Sequence, residues 1–182
     1  MLGFVVPVWL ASGLADWYQH RRTDIEHTAG TKESTLHLLM LAEAGIPSLI
    51  ALFLEINAGV LLTAYAALLA HDVTALWDVT CADGRRRVTP IEQHIHSFLE
   101  VAPVMAVTFP RVQYWDQARA LVGVGSDRPD FLFRPKARPL SPTYTAGLLA
   151  AIGAFGVLPY AEESCAAGAP SEPGQLHPPH CE

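Results

Sequence analysis

Charge is scarce in this chain: 16% of its 182 residues are Asp, Glu, Lys or Arg, against about 25% in an ordinary soluble domain. Apolar residues reach 51% and the mean hydropathy is positive, which argues against water as the main solvent. A basic field is missing as well. The net charge is -6, so nothing tracks a phosphate backbone and no nucleic-acid partner is expected. The three cysteines, Cys81, Cys165 and Cys181, form no CxxC pair, which excludes a disulfide framework. No Lys or Arg precedes the apolar opening Met1 to Ala15, so it reads as a first spanning helix rather than a secretory leader, continuing through Trp17 and Tyr18 as an interfacial belt. No internal repeat is visible.

What is present is apolar helix. Leu36 to Ala70 would be about 52 Å long as one straight helix, too long for a bilayer core of about 30 Å. A turn near Asn57-Ala58-Gly59 resolves this into two crossings, Leu36 to Ile56 and Val60 to about Val79. Arg21 and Arg22 precede this hairpin and Arg85 to Arg87 follow it, so both flanks are expected on the cytoplasmic side, as two crossings require. Ile91 to Pro110 is polar in its first half and apolar from Val101. Because Arg111, Arg119, Arg128, Arg134, Lys136 and Arg138 follow it, it reads as a shallow, re-entrant segment ahead of a loop with one short helix. A last helix is expected from Tyr144 to Tyr160. The fold class is therefore all-α: an integral membrane bundle of about four to five membrane-embedded helices over residues 1–160, with a disordered tail over 161–182.

The ionisable residues are concentrated before position 101. Asp16 and His20, Glu33 and His37, Glu92 and His96, and His96 and Glu100 are each four residues apart, which puts each pair on one helix face. If the chain turns at Asn57, then Glu33 and His37 lie level with His71 and Asp78. Asp16 and His20 end the first helix on the same face, and the segment holding Glu92, His96 and Glu100 begins there. Burying several carboxylates and imidazoles beside hydrocarbon costs several kcal/mol per ion unless each is paired or coordinated. A metal is the economical partner. The expected ligands are Asp16, His20, Glu26, Glu33, His37, His71, Asp78 and His96, with Glu92 and Glu100 as the catalytic carboxylates. Histidine and carboxylate without cysteine suits iron, zinc or manganese, and the number of donors is enough for two ions. His94, two residues from Glu92, is expected to point away. Glu43, two residues before Gly45 and four before Pro47, is a candidate functional acid at a helix kink.

Acids and histidines gathered at the cytoplasmic ends of paired membrane helices, as HIH at 94–96 and as DWYQH, ESTLH and EQHIH, resemble the membrane di-iron desaturases and hydroxylases. Their histidine boxes are of HxxxH and HxxHH type, and acids replace several of those histidines here. The resemblance implies a di-iron centre that activates oxygen against a membrane lipid chain. The string DWYQHRRTDIEHTAGTKESTLH also resembles an uncharacterised bacterial membrane protein family, which implies a multi-pass protein of the bacterial inner membrane. Two other readings carry different cofactors. One is a zinc hydrolase resembling the alkaline ceramidases; the other is a haem-binding subunit with His37 and His71 as axial ligands. A purely structural membrane subunit needs no cofactor.

Overall fold

The computed structural model describes residues 3–23, 30–82 and 88–167. Among these the chain is helical, and its one β-type contact is an isolated bridge between Leu54 and Pro135. The long helices are α1 (Val5–Thr23), α2 (Gly30–Phe53), α3 (Ala58–Ala82) and α4 (Pro90–Gln113), followed by the short α5 (Trp115–Leu121). A last helical run comprises α6 (Pro142–Ile152), a π-helical turn (Gly153–Val157) and α7 (Leu158–Ala167). Helix α1 packs along α4, and α2 packs along both α3 and α7.

The helix starts follow from capping. Thr89 caps α4 through its side chain on the Glu92 N–H, at 3.2 Å, while the Glu92 carboxylate accepts from the Thr89 N–H at 3.3 Å; this capping box is written in the sequence as TPIE. Ser141 accepts from the Tyr144 N–H to start α6, with Pro142 in the first turn, where a missing N–H costs nothing. Asn57 accepts from the Val60 N–H to start α3.

Burial is inverted relative to a soluble bundle. Among the described residues, the buried set is as polar as it is apolar: Asp16, His20, Glu33, His37, His71, Asp78, Glu92 and Glu163 stand beside Leu36, Leu61 and Tyr160. Large apolar side chains such as Leu69, Val73, Leu76, Phe98, Phe109 and Leu158 face outward. Lys32–Phe53, Ala58–Thr80 and Pro142–Ala166 are long and apolar enough to cross a membrane. Helix α1, expected as the first crossing, is not among these three, and neither is α4.

Two expectations are corrected here. Helix α4 does not turn back at Val101 to Phe109: it runs unbroken through Pro103 and Pro110 and leads to the α2–α3 turn, where the Gln117 side chain accepts from the Ala58 N–H. A proline inside a helix forfeits one backbone bond, and flanking apolar packing in α4 is compatible with that loss. The arginines after it therefore stand at the turn end, opposite Arg21, so basic residues mark both ends and do not distinguish them. The second correction is the tail. The last helix extends to Ala167, so the boundary expected at residue 160 falls inside α7. Arg85 to Arg87 and residues 168–182 lie outside the described residues.

At the turn end the loop before α6 forms a strap across the hairpin. The Glu55 N–H donates to the Arg134 carbonyl, the Gly59 N–H to the Asp130 carbonyl and the Lys136 N–H to the Phe53 carbonyl. Asn57 donates its side-chain amide to the Leu132 carbonyl, and the Lys136 ammonium bonds the Ala51 and Leu52 carbonyls at the end of α2, where a cation complements the helix dipole. The Glu55 carboxylate accepts from the Ala137 N–H.

Candidate metal centre

The periodicity of each helix explains what gathers at the other end. Toward this end, the buried positions include Gly13, Asp16 and His20 on α1, His71, Thr74 and Asp78 on α3, and Gly156, Tyr160 and Glu163 on the last run. Steps of three and four keep each set on one face. The π-helical turn contains Gly156, the first of the third set, and wide turns of this kind are frequent at functional sites. Gly13 and Gly156 permit the close approach: a Cβ at Gly13 would lie 3.4 Å from the Tyr160 hydroxyl, and one at Gly156 would lie 3.4 Å from Leu10.

Glu163 sits at the centre of the polar network. Its two carboxylate oxygens face the Nδ1 atoms of His20, at 3.0 Å, and His37, at 2.8 Å. The two imidazole rings are stacked, 4.6 Å apart and nearly parallel. With both Nδ1 atoms engaged, the Nε2 atoms point at other acids: His20 at Asp16, 3.4 Å away, and His37 at Asp78, also 3.4 Å away. Asp16 also meets His96 Nε2 at 3.0 Å and the Tyr160 hydroxyl at 3.4 Å. Two sets offer ligand atoms within 4.8 Å of one another, Asp16 with His20 and His96, and His20 with Glu33 and His37. Among the described residues, Asp78 Oδ1 and the Ser34 hydroxyl are buried without a hydrogen-bond partner. Such atoms are costly in a closed interior unless water, an ion or another ligand meets them.

Thus Asp16, His20, Glu33, His37, Asp78 and His96 converge from four helices. Glu92 is fully buried, but one oxygen is committed to capping α4. Glu100 is exposed at the rim of a cavity of about 70 Å³ lined by Asp16, His37, His71, Asp78, His96 and Tyr160. His71 belongs to neither ligand set. Its Nδ1 lies 4.0 Å from Glu43 Oε2, and the other Glu43 oxygen accepts from the Thr74 hydroxyl at 3.0 Å. His94 is exposed with its ring against Phe98. Glu26 lies outside the described residues. Sequence reasoning missed Glu163 and Tyr160 as site residues. The signal for them was the run Gly156, Tyr160, Glu163, whose spacing continues one helical face past Pro159.

The neighbouring acid has a different environment. Glu162 bonds the Trp17 indole at 2.9 Å and pairs with Arg21 in a partly exposed position. No protein-family model, no curated protein and no solved structure matches the chain.

Proposed function

We propose that the chain is a membrane-embedded metalloprotein whose His and carboxylate cluster binds one or two metal ions, with iron as the metal and oxidation of a membrane lipid chain as the reaction class. The observation that carries this reading is the pair of stacked imidazoles shared by Glu163. A carboxylate on Nδ1 of a histidine fixes the tautomer and aims Nε2 as a ligand, the usual support behind metal-binding histidines. Here one carboxylate does this for two rings at once. The donors Asp16, His20 and His96, with Glu33, His37 and Asp78 beside them, are more than one ion needs, and their hardness suits iron better than copper.

Such an ion would supply Lewis acidity and redox chemistry. The chain's own residues would hold it and exclude water, and the Tyr160 hydroxyl next to Asp16 offers a positioned proton donor. Outward-facing apolar side chains and three helices long enough to cross a membrane support placement in lipid. Elemental analysis of untagged protein purified in detergent tests the reading. About one to two equivalents of iron per chain are expected. Zinc in the same amount would favour the hydrolase, and a chain free of any metal after purification under reducing and chelator-free conditions, and unable to take one up, would end the reading.

A further inference from the structure

Behind the polar cavity lies a second, larger one of about 360 Å³, within the size range of small-molecule sites. Its walls are apolar, among them Leu38, Leu61, Leu68, Ala102, Val107 and Leu148. Trp9, Leu41 and His71 line both cavities, so the two adjoin. At this junction two polar atoms are buried and unbonded among the described residues: His71 Nδ1 and Glu43 Oε2. The His71 side chain is 8% exposed and the two atoms are 4.0 Å apart. That is too far for a hydrogen bond between them, and it is the separation that one oxygen bonded to each at about 2.8 Å would span.

We infer that the apolar cavity is a chamber for an aliphatic chain and that the Glu43–His71 pair receives one hydroxyl group on that chain. A hydroxyl both donates and accepts, so it satisfies the carboxylate oxygen and the ring nitrogen together. An ether or ketone oxygen only accepts and would leave one of the two buried atoms unbonded. The ligand class is thus a long-chain alcohol or a lipid chain carrying a hydroxyl. This goes beyond the metal centre and deepens it, since a chain seated here reaches the polar cavity past His71; its binding, however, requires no metal.

Trp9 provides the readout. In lipid nanodiscs, a brominated dodecanol bound in the chamber is expected to quench fluorescence that Trp9→Phe removes. Unlabelled 1-dodecanol should then displace it about tenfold or more better than the methyl ether of the same chain, from the value of a hydrogen bond to a buried charged group. Glu43→Leu is expected to abolish the preference while keeping chain binding, and Ala64→Phe, which narrows the chamber without adding a fluorophore, to abolish quenching. Equal displacement by the ether, or a preference that survives Glu43→Leu, would overturn the hydroxyl receptor and leave only a bridging water; quenching that survives Ala64→Phe would overturn the chamber. The same assay after chelation is expected to give the same preference. If the chain proves metal-free yet keeps it, the metal centre alone falls.

Discussion

The two ends of this bundle solve the burial of polar groups in opposite ways. At the turn end, backbone meets backbone: the strap of residues 130–137 supplies carbonyls and N–H groups to the α2–α3 turn, and side chains there, among them Asn57, Glu55, Gln117 and Lys136, bond backbone atoms. At the site end, side chains meet side chains from five helices, α1 to α4 and α7, and among the described residues Asp78 Oδ1 and Ser34 Oγ are left without partners. A strap that satisfies its neighbours is a structural device. A cluster of ionisable groups with polar atoms to spare has donors that an ion, water or another ligand could use.

Three perturbations test that contrast. The largest effect is expected at Glu163. Replacing it by Gln should weaken metal binding by about 10- to 100-fold, as loss of an outer carboxylate does elsewhere, whereas Glu162→Gln, one residue away on Trp17 and Arg21, should leave metal content unchanged. Equal losses from both would mean that α7 acts through packing alone.

The next effect belongs to the strap. A Cβ at Gly59 would lie 3.1 Å from the Phe131 Cα and 3.2 Å from its carbonyl oxygen, so Gly59→Ala must shift the strap backbone by a few tenths of an ångström, at a cost of about 1–3 kcal/mol. Denaturation in detergent should show that loss with metal stoichiometry intact. A parallel loss of metal would show that the ends are not separate.

The smallest effect is the strap's response to pH. The Leu132 N–H, bonded to the Asp130 carboxylate at 3.0 Å, together with Arg134, holds that carboxyl below the usual carboxylate range despite some opposition from burial. A folded-state value below the unfolded one stabilises the strap above the ordinary carboxylate range, and that support is lost as pH falls through the lowered value. The protection of the Gly59 and Leu132 amides, taken relative to intrinsic exchange at the same pH, should therefore fall on acidification below about pH 4, and Asp130→Asn should remove that pH dependence. Burial acts the other way on Lys136, lowering its ammonium's value against the opposing charge of Glu55.

Local pattern made much of this legible. The pairs Asp16/His20 and Glu33/His37 are four residues apart, and helical geometry alone puts each pair on one face; TPIE announces the start of α4, and Asn57 the hairpin. The all-helical class and apolar helices of membrane-spanning length are as expected. His71 flanks the hairpin as His37 does, yet it lies seven residues from Asp78, about 10 Å along the helix axis, and that places it level with Glu43 instead. Glu163 escaped notice because EESCAAGAP has the composition of a tail, and the face that carries it continues through a π-helical turn that no simple period predicts. The strap depends on pairings between residues some 75 to 85 apart, for which the sequence has no local sign.

The central claim is that the site end is held together by metal, and thermal stability with and without chelator addresses it most directly, using the parent, His37→Ala, His96→Ala and the double substitution in detergent. Ligands of one site act as a unit. The chelator is expected to lower the parent's Tm substantially, each single substitution to remove most of that response, and the second substitution to add little to the first. A parent Tm indifferent to chelator, with the two substitutions additive, would contradict the metal centre and leave a helical bundle with a buried network of hydrogen-bonded acids and histidines.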